Sequence, residues 1–221
     1  MGDEITWEPQ SVADVGAALS RIGNSYREGM ARIYDCINKL GVEGFWLGRN
    51  FNIIANDVLN ASRANFEEWA DYLQTTVPQV VANIADAQAA VGGGSVYFSL
   101  TPNSSEIQMV QETPEDEWGS LTLDPTQVRY VVNRTLPEYC LYVYNRLDDY
   151  VSQFEELGSI RGNAAMIEMS ERVYEICKSG RELVHLFQDK VIEAVELSVN
   201  KTIMTDEEAR KIAASISSLI N

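Results

Sequence analysis

Between Val12 and Leu40 the apolar or small residues fall at Val12, Val15, Leu19, Ile22, Tyr26, Gly29, Ile33, Cys36 and Leu40, and their spacing alternates three and four without a miss. Only a helix brings such a series to one side of the chain, because its turn of 3.6 residues lies between those two steps. The repeat is a heptad seam. It predicts one long helix over 9–40, ~48 Å at 1.5 Å per residue, with Pro9 in a first turn that tolerates it. Gly29 on the seam predicts a close approach by another backbone.

Gly41-Val42-Glu43-Gly44 interrupts the seam, with Gly41 as the expected C-terminal cap. The pattern resumes at Phe51, Ile54, Val58, Ala61, Phe66, Trp69, Leu73, Val77, Val80, Ile84, Ala87 and Val91. A second helix is therefore expected over 47–91, kinked or restarted at Pro78, which lacks a backbone donor. Two long helices joined by so few residues lie antiparallel, so 8–91 reads as a helical hairpin with its turn near 41–48.

Gly92-Gly93-Gly94 closes that hairpin, and the composition then changes. Ser95–Leu100, Glu106–Glu112 and Ser120–Leu123 are rich in β-branched and aromatic residues, separated by turn-forming clusters. They predict a small antiparallel β insertion over 92–134. In 127–133, Val128, Tyr130 and Val132 alternate as in a strand, although the stretch could also open a helix; the strand is the preferred reading. A helix is then expected from near Thr135, where Thr135 and Glu138 form a capping box with Pro137 in the first turn.

A second hairpin is expected over 135–203. Its seam runs through Leu136, Cys140, Val143, Leu147, Val151, Phe154 and Leu157, breaks at 158–162, and resumes from Met166 through Val173, Leu183, Phe187 and Val191 to Val199. Thr205 with Glu208 forms another capping box, opening a short helix over 206–219 in the tail 204–221. The expected fold is mostly α: two long antiparallel hairpins that bury their stripes together as a four-helix bundle, with the β insertion between them.

Charge and residue usage exclude several functions. With 17 Lys+Arg against 33 Asp+Glu, the net charge is −16. That field repels phosphate, so nucleic acid and anionic membrane surfaces are poor partners and other proteins are better ones. Cys36, Cys140 and Cys177 are far apart, odd in number and read as buried free thiols. His185, the sole histidine, falls on a helix, and one imidazole supplies neither an ordinary zinc set nor a Ser-His-Asp triad. Cys177 and His185 stand two turns apart, ~12 Å along the axis, too far for a nucleophile–base pair. Adjacent carboxylates such as Glu67/Glu68 and Asp148/Asp149 point ~100° apart and read as solvated faces. No enzyme, cofactor or metal is expected. No cleaved leader is visible at the start of the sequence, and no stretch approaches the ~20 apolar residues of a spanning helix.

The turn of the first hairpin carries a further signal, Trp46-x-Gly48. Its position between two long heptad helices resembles the WXG100 family, small helical hairpins exported by type VII (ESX-like) secretion systems. The resemblance covers about 10–91, and more loosely 135–200, where Ile160-x-Gly162 occupies the place of a degenerate second turn. It implies a leaderless substrate or adaptor, made in the cytoplasm of a Gram-positive bacterium and secreted. Its protein partners would be the secretion machinery or a co-secreted protein. Since the family pairs hairpins, the chain would form a homodimer or supply both hairpins itself as an internal pseudo-dimer. Trp46 would either cap the turn from the core or offer a contact to a partner. The family's secretion signals find two matches: Tyr144 with Asp148, and the looser series Ile192, Glu196, Val199 and Ile203. Two other readings stand beside this one, a coiled-coil scaffold unrelated to secretion and the targeting part of a secreted toxin.

Overall fold

A computed structural model of the chain describes residues 8–113, 123–158, 160, 164–200 and 204–220. These are mostly helical. Helix α1 is Pro9–Val42, α2 covers 49–91, α3 covers 125–155, α4 is Ala164–Val199 and α5 is Asp206–Ile220. None is long and apolar enough to cross a membrane.

The chain divides into two compact units that share these helices. Unit 1 takes the described residues of Met1–Tyr26, Glu68–Ser104 and Asn145–Lys178; unit 2 takes those of Arg27–Glu67, Ser105–Tyr144 and Ser179–Asn221. In unit 1, Ser20 of α1 meets Gln74 of α2, and Gly16 meets Pro78 and Val81. In unit 2, Tyr34 meets Leu59 and Gly41 meets Phe51. Residue numbers fall along one helix as they rise along the other, so α1 and α2 run antiparallel. Between α3 and α4, Phe154 stacks edge-on to Tyr174 in unit 1, and Tyr144 to His185 in unit 2.

Helix α2 does not keep a regular α pitch. Ile54–Asn60 and Tyr72–Thr76 are π-helical, and the amides of Ala61 and Val77 reach the carbonyls five residues back, Asn56 and Tyr72. A π turn takes up an extra residue, so the buried positions are Val58, Ser62, Phe66, Trp69, Leu73, Val77, Val81 and Ala85. The regular seam predicts Ala61, Val80, Ile84 and Ala87 instead, and those are exposed or half-buried. Each π turn also offers a carbonyl sideways. Tyr34 Oη donates to Leu59 O at 2.6 Å in unit 2, and Tyr150 Oη donates to Leu73 O at 2.7 Å in unit 1. Burial pushes both phenols well above their ordinary pKa. Regular α geometry resumes at Val77, immediately before Pro78, which matches the expected restart.

Gly41 is not the cap of α1. It lies inside the helix, where a Cβ would come within 2.4 Å of the Phe51 ring. The cap is Gly44, at φ +73°; Phe45 N reaches back to Leu40 O and Gly44 N to Gly41 O, pairing carbonyls the helix leaves open. The same pair of bonds ends α2 at Gly93. At Gly29 the close approach is by side chains and not by the expected backbone: a Cβ there would fall 2.6 Å from Val143 Cγ2.

The expected β insertion is absent among the described residues. From 95 to 113 the backbone is extended but belongs to no sheet, and the β pairing consists of one isolated antiparallel bridge, Trp46 with Leu123. Ser120, Leu121 and Thr122 lie outside the described residues. The β-rich composition makes an extended segment, yet its amides and carbonyls pair with helix side chains where a sheet would offer a neighbouring strand. Nor is 127–133 a strand. Asp124 caps a helix there, its carboxylate accepting from Thr126 N and Gln127 N, with Pro125 in the first turn. Val128, Val132 and Leu136 are buried at steps of four, so the seam of α3 begins seven residues before Thr135, at Val128, and absorbs the expected capping box. A third π turn, Val131–Thr135, lies in this lead-in. The tail behaves as expected: Thr205 N donates to Glu208 Oε2 at 2.7 Å and Glu208 N to Thr205 Oγ1 at 3.3 Å. The bonds that Thr205 N and Oγ1 donate to it hold the exposed Glu208 carboxyl below its ordinary pKa.

Candidate functional site: the Trp46 corner and the amide-gripped segment

The corner between α1 and α2 gathers the chain in unit 2. Trp46 is fully buried, its ring edge-on to Phe51 at 5.4 Å. Its indole Nε1 donates to Ser198 Oγ of α4 at 3.0 Å, and Asn50 Nδ2 donates to the same oxygen at 3.0 Å. Ser198 in turn donates to Ala194 O at 2.8 Å. One donor and two acceptor sites are all that a hydroxyl has, so this buried atom is saturated. Asn50 Oδ1 accepts from Met204 N at 2.8 Å, Arg49 Nε donates to Met204 O at 3.1 Å, and the Arg49 guanidinium pairs with Asp206 at the start of α5. On the other side, Gly48 N donates to Thr113 Oγ1 at 3.2 Å and Asp124 N to Phe45 O at 2.7 Å. Gly48 sits at φ +103°, ψ −170°, a region closed to residues with a side chain.

Residues 95–113 are held by side-chain amides. An Asn or Gln carries an N–H and a C=O in the geometry of a peptide unit, and three of them pair with both main-chain groups of a single residue. Gln10 does so with Tyr97, at 3.0 and 3.0 Å. Asn60 does so with Val110, at 2.9 and 2.9 Å. Asn52 does so with Thr113, at 3.1 and 2.9 Å, and also accepts from its hydroxyl at 3.0 Å. Asn38 Oδ1 accepts from Gln111 N at 2.8 Å, and Arg63 donates to Ile107 O at 3.2 Å. In unit 1, Gln74 donates to Thr101 O, Thr101 N donates to Ser20 Oγ, and Asn24 bonds Ser104.

Of the residues singled out from sequence, the structure brings Trp46 and Gly48 together at the corner, and through Ser198 sets them beside Val199. Ile192 and Val199 are half-buried on α4 in unit 2 and Glu196 is exposed; Ile203 lies outside the described residues. Tyr144, in unit 2, stacks with His185 and lies under the Arg181 guanidinium at 5.8 Å, while Asp148 belongs to unit 1. Ile160 is buried, and Gly162 lies outside the described residues. The residues missed were Asn38, Asn50, Asn52, Asn60 and Ser198. Asn is a poor helix former, and a run of asparagines at 50, 52, 56 and 60 inside one helical pattern was the available sign of a second job.

Among the described residues no group of His, Cys, Asp and Glu is placed to hold a metal. His185 is exposed. The three thiols are free and buried, and burial pushes those of Cys36 and Cys140 up to about 12. A cleft of about 490 Å³ in unit 2 is bounded by Arg49, Asp57, Glu112, Asp206 and Arg210; burial raises the Asp57 carboxyl above its ordinary pKa. The arrangement is one of hydrogen-bond donors and acceptors aimed at backbone. Compared with known protein families, curated proteins and solved structures, the chain matches none of them.

Proposed function

We propose that this chain is a non-enzymatic helical interaction module that works by binding other proteins, resembling a leaderless substrate or adaptor of a type VII (ESX-like) secretion system. In this reading the two antiparallel hairpins pack as a four-helix bundle and stand in for the two partners of a hairpin dimer. The observation that supports it is the Trp46-x-Gly48 corner: a buried indole bonded to Ser198 of α4 and a glycine at φ +103° join two long antiparallel helices. The half-buried Ile192 and Val199 flanking exposed Glu196 leave a rim of α4 on which export machinery could recognise an amphipathic helix.

Export tests the reading. Immunoblots of culture supernatant are expected to show the protein outside wild-type cells and not outside cells lacking the secretion ATPase. Equal extracellular amounts in both strains would refute it. A scaffold unrelated to secretion is the second reading, and the complete burial of Trp46 favours it, because an indole spent on the core makes no contact with a partner.

A further inference from the structure

The hydrogen bonds that hold the extended segment in unit 2 go mainly to its main chain, with the Thr113 hydroxyl also bonded to Asn52 and Gly48. Ile107, Val110 and Thr113 are its buried residues, three apart, and the four residues between them face solvent. A repeat of three is that of an extended, polyproline-II-like chain. At each buried position a helix side chain takes hold of the backbone: Arg63 at Ile107, Asn60 at Val110, Asn52 at Thr113. Arg63, Asn60 and Asn52 descend one face of α2 as the segment ascends. Main-chain hydrogen bonds do not depend on which side chain a peptide carries, and a buried side chain at every third residue sets only a loose preference. A groove of this form reads peptide backbone, and its present occupant comes from the same chain.

From this geometry we infer that the Asn52–Asn60–Arg63 face of α2 is a binding site for an extended peptide of another protein, with residues 105–113 as its resident competitor. The ligand has an aliphatic residue at the Ile107 and Val110 positions and Thr or Ser at the Thr113 position. Because the chain carries a net charge of −16, the favoured ligand has Lys or Arg at the solvent-facing positions between them. This inference is independent of secretion: it requires only the groove.

The probe is a fluorescein-labelled, end-blocked peptide of residues 105–113, titrated by anisotropy into the full-length protein. The wild type is compared with the variant I107D/V110D, whose own segment carries two carboxylates that the apolar pockets reject. We expect saturable binding to I107D/V110D at least tenfold tighter than to wild type. Adding Asn60→Ala should weaken it at least tenfold, and so should N-methylation of the peptide at its Val110 nitrogen, which removes the donor to Asn60 and leaves the side chain intact. Placing lysine at the peptide's Gln108 and Gln111 positions should tighten binding at low salt. Absence of saturable binding to a variant that still melts cooperatively, or indifference to N-methylation, would overturn the inference. Hydrogen exchange on the wild type keeps the test open if that variant does not fold. The amides of Val110, Gln111 and Thr113 should exchange through an opening that leaves α1 and α2 protected; exchange only by global unfolding would overturn the inference too. A wild-type dimer in sedimentation that vanishes in I107D/V110D would mean that copies trade segments, which also counts against a foreign peptide.

Discussion

The extended segment is held differently in the two units. In unit 1 its residues alternate, Val96, Phe98 and Leu100 half-buried and Tyr97 and Ser99 exposed, and its one two-point grip comes from Gln10 near the exposed start of α1. In unit 2 the repeat is three, every third side chain is buried, and Asn52 and Asn60 grip from within. Water can replace each bond of the Gln10 grip; at Asn52 it is excluded. A hydrogen bond exchanged for water adds about 1 kcal/mol, whereas a buried group left unpaired costs about 1–3 kcal/mol. The same chemical pairing is therefore worth little at Gln10 and much at Asn52.

That contrast can be broken at several points. Trp46→Ala removes the largest buried side chain of the unit 2 corner and one of the three hydrogen bonds at Ser198 Oγ. A loss of about 3–5 kcal/mol is expected by denaturant unfolding, and a loss under ~1 kcal/mol would show that the corner is not part of the core. Asn52→Ala leaves the buried Thr113 amide and carbonyl unpaired and should cost about 2–3 kcal/mol. Tyr34→Phe and Tyr150→Phe each remove one buried hydrogen bond to a π-turn carbonyl, in unit 2 and unit 1 respectively. Each should cost about 1 kcal/mol, and unequal values would reveal which π turn the core depends on. Gln10→Ala, the exposed counterpart of Asn52, should change stability by less than ~0.5 kcal/mol; parity with Asn52→Ala would erase the distinction between the two modes.

The thiols give the pH dependence. Unfolded cysteines deprotonate near pH ~8.5, while burial holds Cys36 and Cys140 protonated to about 12. Between those values the folded chain keeps protons that the unfolded chain has lost, so stability falls as pH rises. The raised phenols of Tyr34 and Tyr150 add the same sign above ~10. Melting temperature should therefore decline from pH ~9 upward. At pH 8 the folded protein should show no fast phase with an aromatic disulfide reagent at Cys36 or Cys140, and that phase should emerge on unfolding.

Helix α1 was legible in the sequence to within two residues at its end, because one physical cause, burial of a stripe, sets its pattern. Its second buried face was not. Gly16, Ser20, Gly23 and Asn24 are buried, but they are small or polar and leave no hydrophobic period; they make room for α2 and bond the extended segment. The β insertion failed for a related reason. Propensity for extended backbone is local and readable, whereas the identity of the hydrogen-bonding partner is not, and here the partners are Asn, Gln, Ser and Arg on helices. In α3, Val128 and Val132 satisfied both a two-residue and a four-residue period; Asp124-Pro125, a start signal in plain view, decided for the helix. The corner motif was found by its letters, but its bond to Ser198 joins residues 152 positions apart and has no local trace.

The π turns of α2 carry a consequence for its evolution and for its engineering. Each holds one residue more than a regular turn, so removing a single residue there converts it to ordinary α geometry without breaking the rod. Side chains downstream then keep their faces, so Phe66, Trp69 and Leu73 stay in the interior. The helix therefore has two places, Ile54–Asn60 and Tyr72–Thr76, where the loss of one residue is absorbed, whereas the same deletion in its regular stretches would turn everything beyond it by ~100°.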